Sequence, residues 1–140
     1  MRASVNWIDN VHFRAVADSG VEVPMDGPAD AGGQGRGPRP MELLLMGLGG
    51  CTSYDVVTIL RKSRQDVRGC TTELDAERAD TEPKVFTRIH VHFKVRGHNL
   101  DPARVARAVS LSADKYCSAS IMLSRGGVDI THDFEIIEGD

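Results

Sequence analysis

With 140 residues, 41% apolar and 26% charged side chains and a formal net charge of −3, the chain has the make-up of one ordinary globular domain, which excludes a disordered or fibrous segment. That mildly acidic balance, with no run of lysines or arginines, argues against nucleic acid or an anionic membrane as the main partner. Three cysteines without a CxxC pair argue against a disulfide framework, a zinc ribbon or a thioredoxin-type pair, and leave core packing or thiol chemistry.

The first residues, Met1 to Trp7, lack the apolar core of a signal peptide, so cytoplasm is the default expectation. Residues 1–26 read as a strand meander. Val5, Trp7 and Ile8, then Val11, Phe13 and Ala15, then Val21 and Val23 are separated by the turn-forming pairs Asp9-Asn10 and Ser19-Gly20. Residues 27–39 are a glycine- and proline-rich stretch. It has no Walker lysine and no strand-to-helix pattern, so it reads as a flexible loop and not as a phosphate cradle.

Residues 40–140 read as a core with two main helices and three strands. Pro40 suits a first helical turn, and Arg61, Lys62 and Arg64 suit the last. Between them Leu43 to Leu60 place apolar side chains on nearly every face, which predicts a helix buried in the protein core or in a subunit interface. The segment is long enough to span a membrane, but Glu42, Asp55 and the interior Gly47, Gly49 and Gly50 make it poor for that. Cys70, Thr72, Leu74 and Ala76 alternate with polar residues in one strand. Val85, Ile89, Val91, Phe93 and Val95 form the apolar face of the next. Asp101-Pro102 caps a second helix whose Val105, Ala108, Val109, Ser112 and Tyr116 share a face. A short helix follows Ser118, Gly126-Gly127 ends it, and Val128, Ile130, Phe134 and Ile136 make a last strand. Strands, helix, strands, helix, strand is an α+β order rather than a βαβ repeat.

The candidate chemistry lies in the cysteines. Cys51 follows Gly49-Gly50 in the apolar helix, with Thr52, Ser53 and Asp55 beside it; Asp55, one turn on, raises a neighbouring thiol's pKa. Cys117 stands at the start of the helix after Ser118, where the helix dipole favours thiolate. Either could equally be a small buried hydrophobe, and Cys70 reads as core. His90 and His92 share a strand face with Lys94 and no third ligand, so a solvated face is favoured over a metal site.

The run Pro38-Arg39-Pro40-Met41-Glu42-Leu43-Leu44-Leu45-Met46-Gly47-Leu48-Gly49-Gly50-Cys51 resembles the central-helix motif of the OsmC/Ohr family, closest to its YhfA-like branch. Lys115-Tyr116-Cys117-Ser118-Ala119-Ser120 resembles the segment around that family's second cysteine, and the layout covers essentially the whole chain. The resemblance implies an OsmC-like α+β fold in which antiparallel sheets wrap a long buried central helix, in an intertwined homodimer with sites at its interface. It implies a thiol peroxidase that reduces organic hydroperoxides. Cys51 becomes a sulfenic acid, Cys117 resolves it as a disulfide, and an external dithiol such as a lipoylated protein restores both, without metal or organic cofactor. Arg14 is the candidate for the family's catalytic arginine. The position ten before the first cysteine, a glutamate in the family's peroxidases, is Met41 here, and Glu42 stands one residue later; the residue after the second cysteine, commonly proline, is Ser118. Two alternatives stay open: a small hydrophobic ligand held at the dimer interface without catalysis, and another thiol-redox role for the same pair.

Overall fold

The computed structural model describes all 140 residues, which form two compact units, Met1–Leu44 and Leu45–Asp140. In the first unit, strands β1 (Ala3–Asp9), β2 (His12–Ala17) and β3 (Glu22–Met25) pair antiparallel in chain order. Asn10 and Gly20 make the two turns with φ of 46° and 86°. Asparagine and glycine are the residues that tolerate this left-handed region at little cost.

The glycine- and proline-rich stretch is a loop, with one short 3-10 turn at Ala29–Ala31. Its chain folds around the carboxylate of Asp26, which is 1% exposed. Asp26 Oδ1 accepts from the Gly27 amide at 2.9 Å, and Oδ2 accepts from the amides of Gln34 and Arg36 at 3.0 and 3.1 Å. The Asp26 amide donates to the Pro38 carbonyl at 3.1 Å and so closes the base of the loop. These amides, Gln34 first, hold the Asp26 carboxyl below its ordinary value of 3.8. Gly33 is required by close packing, because a Cβ there would stand 1.8 Å from the Gly27 carbonyl oxygen.

Helix α1 (Pro40–Lys62) begins in the first unit and continues into the second. Its buried residues Leu48, Thr52, Val56 and Leu60 recur every four positions and form one stripe. Full burial of a valine or leucine contributes roughly 1.5–3 kcal/mol, so this stripe anchors the helix. In the single chain the other faces of the helix are not all covered. Leu44, Met46 and Tyr54 are exposed, and beside Gly47 and Gly50 nothing lies within 4 Å of a built Cβ. By length and composition alone the helix is long and apolar enough to cross a membrane. Gly49, by contrast, faces β4 (Asp66–Arg78), where a Cβ would meet Leu74 Cδ1 at 2.7 Å; its lack of a side chain lets helix and sheet approach.

In the second unit β4 pairs antiparallel with β5 (Phe86–His98), and β5 pairs with β6 (Asp129–Glu138) in the order β4-β5-β6. The alternation places Ile89, Val91, Phe93 and Val95 on the buried face as expected. Val85 lies outside the strand and is exposed. The β5–β6 pair is parallel, a departure from the all-antiparallel expectation. Helix α2 (Pro102–Leu111), a π-helical turn (Ser112–Tyr116) and helix α3 (Ser118–Arg125) carry the chain back, and parallel pairing needs such a crossover. Asp101 caps α2 by accepting from the Ala103 amide at 2.9 Å. Tyr116, expected on the buried face of this region, is turned outward by the π turn.

Candidate active site

The π turn sets the site. Its extra residue per turn closes on a bond from the Cys117 amide to the Ser112 carbonyl, 2.8 Å long. Cys117 then becomes the N-cap of α3, and its Sγ accepts from the Ser120 amide at 3.4 Å. Cys51, on α1, is near enough to Cys117 to act on its thiol, so the two sulfurs are neighbours. Residues separated by 66 positions (117 − 51) are thus brought together as two free thiols, one half-buried and one fully buried.

The two thiols differ in their surroundings. Burial pushes the Cys117 thiol up from 9.0 to about 11, against the Ser120 amide, with Cys51 and the Asp55 carboxylate acting in the same direction as burial. The thiolate expected of a helix N-terminus is therefore not formed at Cys117, because desolvation outweighs one amide donor. The Asp55 carboxylate acts on Cys117 as well, from across the turn.

A hydrogen-bonded network of two hydroxyls and one carboxylate underlies the pair. Ser112 Oγ, fully buried, donates to Asp55 Oδ2 at 3.0 Å and lies 2.8 Å from Thr52 Oγ1, whose hydroxyl is then the donor. On the opposite flank of α1, Ser53 Oγ and Thr72 Oγ1 are 2.5 Å apart, and Cys70 Sγ is 3.9 Å from Thr72 Oγ1. Cys70 is half-buried and its thiol is raised by burial, as a core-edge cysteine. Thr52 and Asp55 were visible beside Cys51 in sequence. Ser112 was visible only as one helix-face residue, since no sequence signal marks a π turn.

The other candidate residues have partners of their own. Arg14, exposed on β2, lies 3.7 Å from Glu22. Glu42 Oε1 accepts from the Arg39 amide at 2.9 Å and from its Nε at 3.2 Å, which caps the start of α1 and holds the Glu42 carboxyl below its ordinary value. His90 Nε2 and His92 Nδ1 both donate to Asp133 Oδ1, at 3.0 and 2.6 Å. The parallel register places His92 directly beside Asp133, so this face is a ladder of histidine–carboxylate pairs. A cavity of about 600 Å³ lies next to the thiol site, lined by Tyr54, Asp55, Ile59, Lys62, Leu111 and Tyr116 among others.

Comparison with known proteins agrees with this architecture. The model of the family described as OsmC-like protein matches residues 33–133. Protein YhfA of Escherichia coli (strain K12) is 45% identical over 137 residues, covering 98% of each chain. The crystal structure of a hypothetical protein from Aquifex aeolicus VF5 superposes with a TM-score of 0.86 at 25% identity, covering 99% of this chain and 97% of that one. An organic hydroperoxide resistance protein OsmC from Legionella pneumophila shares the fold, with a TM-score of 0.70 at 17% identity over 96% of this chain and 95% of its own.

Proposed function

The chain belongs to the OsmC-like family, and from that premise we propose that it is a thiol peroxidase that reduces organic hydroperoxides through Cys51 and Cys117. The observation that carries the reading is the pairing of a half-buried thiol with a fully buried one whose proton is held up to about pH 11. Cys51 is the sulfur a peroxide reaches first. Its thiolate attacks one peroxide oxygen; an S–O bond forms, the O–O bond breaks, and the alkoxide leaves as alcohol after taking a proton. Cys117 then attacks the sulfenic sulfur. The S–S bond forms, the S–O bond breaks, and water leaves with the Cys117 proton. An external dithiol, such as a lipoylated protein, reduces the disulfide by two exchanges. Holding Cys117 protonated keeps it from competing with Cys51 for the oxidant.

Arg14 and Glu42 are proposed as the charged groups that assist Cys51, by the family resemblance. Their present pairing with Glu22 and Arg39 means that such a role requires exchange of partners. A cytoplasmic homodimer is also proposed. The exposed side of α1, with Leu44, Met46 and Tyr54 around Gly47 and Gly50, supports it as a face for a second copy. A second reading, binding of a small hydrophobic ligand without turnover, is supported by the cavity lined by Tyr54, Ile59, Leu111 and Tyr116.

The test is consumption of cumene hydroperoxide with dihydrolipoamide as reductant. Turnover that Cys51→Ser abolishes and Arg14→Ala slows supports the peroxidase. No turnover in the wild type, with thiols that stay reduced, favours the ligand reading.

A further inference from the structure

We propose that Ser112 is the positioning residue that holds the two thiols in register for disulfide formation; the inference rests on the thiol-pair reading above. One buried residue bonds the Cys117 backbone and the turn of α1 that follows Cys51. Its carbonyl accepts from the Cys117 amide at 2.8 Å. Its hydroxyl bonds Thr52, the residue after Cys51, at 2.8 Å and Asp55, one turn further along α1, at 3.0 Å. The bond to the Cys117 amide spans five residues, so the turn carries one residue more than an α-helix. Without it, Cys117 would be rotated by about 100° about the helix axis. The hydroxyl bonds fix that turn against α1, and π turns of this kind occur frequently at functional sites. Serine suits the position because it is 0% exposed and both hydrogen-bond directions are used.

The step that depends on this is the condensation of the Cys51 sulfenic acid with the Cys117 thiol, which forms S–S, breaks S–O and releases water. The same geometry governs oxidation by diamide. There the two thiols give up two electrons and two protons to the N=N bond, and a disulfide and a hydrazine result. Diamide needs no peroxidase activity, so it separates the positioning claim from the functional one.

Full-length reduced wild type, Ser112→Ala, Thr52→Val and Thr52→Ser are oxidised with diamide, and the Cys51–Cys117 disulfide is followed by mass spectrometry. Melting curves establish that each is folded. Ser112→Ala is expected to form the disulfide roughly tenfold more slowly, as misplaced reacting groups do. Thr52→Val falls between Ser112→Ala and wild type, and Thr52→Ser, which keeps the hydroxyl, restores the wild-type rate. With cumene hydroperoxide and dimedone, Ser112→Ala accumulates the Cys51 adduct where wild type proceeds to disulfide, a split that loss of stability alone does not produce. Equal diamide rates for wild type and folded Ser112→Ala overturn the proposal. If Ser112→Ala does not fold, equal rates for Thr52→Val and Thr52→Ser overturn it. Wild type that closes the disulfide with diamide but ignores the hydroperoxide sinks the peroxidase reading alone.

Discussion

Asp26 and Ser112 are both buried polar side chains with several hydrogen bonds, yet they organise the chain in opposite ways. Asp26 is charged and local: it gathers amides from residues 27 to 36 and shapes one loop. Ser112 is neutral and long-range: it joins positions 57 and 60 residues away and sets one helix turn against another. A buried carboxylate is tolerated where backbone amides replace its water. At the thiol pair a neutral hydroxyl does the joining, and desolvation, the largest influence on Cys117, holds its proton in place. The difference teaches that a charge can shape one loop through backbone amides, while joining distant segments falls to a small hydroxyl that can both donate and accept.

The sharpest way to break the comparison is Asp26→Ala. It leaves the Gln34 and Arg36 amides without an acceptor, so the loop should open. Trypsin cleavage after Arg36 is expected to be about tenfold faster than in wild type, the scale set by losing a typical buried interaction. Acid should act alike. The Asp26 carboxyl lies below 3.8, so its contribution is full above that value and is lost as pH falls through the lower folded value. Loop protection that survives in Asp26→Ala would show that the glycine packing alone holds the loop.

The second effect is alkaline. Cys117 is raised from 9.0 to about 11, so its contribution to stability is full below pH 9 and is lost as pH rises through 11. Urea midpoints should fall across that window in wild type, and less in Cys117→Ala. Coincident slopes for the two proteins would contradict the assignment.

The smallest effect belongs to the histidine ladder. His92 is raised above 6.5 by Asp133, and Asp133 is lowered below 3.8 by His92. The pair contributes between these values; the histidine share is lost as pH rises through its folded value, and the aspartate share as pH falls through its own. His92→Gln should therefore differ from wild type in midpoint most in mildly acidic solution and converge with it in alkali. Asp133 is exposed and His92 only partly buried, so the difference is small.

Much of the fold could be read from periodicity. The alternation of Ile89, Val91, Phe93 and Val95, the Asp101-Pro102 cap and the Gly126-Gly127 stop each have a local physical cause. The parallel β5–β6 pairing could not be read, because it depends on where the crossover returns the chain. The order around Asp26 was hidden because glycine and proline composition is the same in a flexible loop and in one folded on a carboxylate. At the site, Cys51 and Cys117 were singled out by their neighbours and by family resemblance, but their apposition is a tertiary fact. Ser112 was hidden for the same reason: its partners lie 57 and 60 positions away.

The most direct measurement is the fate of the thiols after one equivalent of cumene hydroperoxide is added to the reduced protein, followed by peptide mass spectrometry. Rapid appearance of a Cys51–Cys117 disulfide, absent in Cys51→Ser and leaving Cys70 free, is the predicted result. Thiols that remain reduced for many minutes, or oxidation that falls first on Cys70, would contradict it.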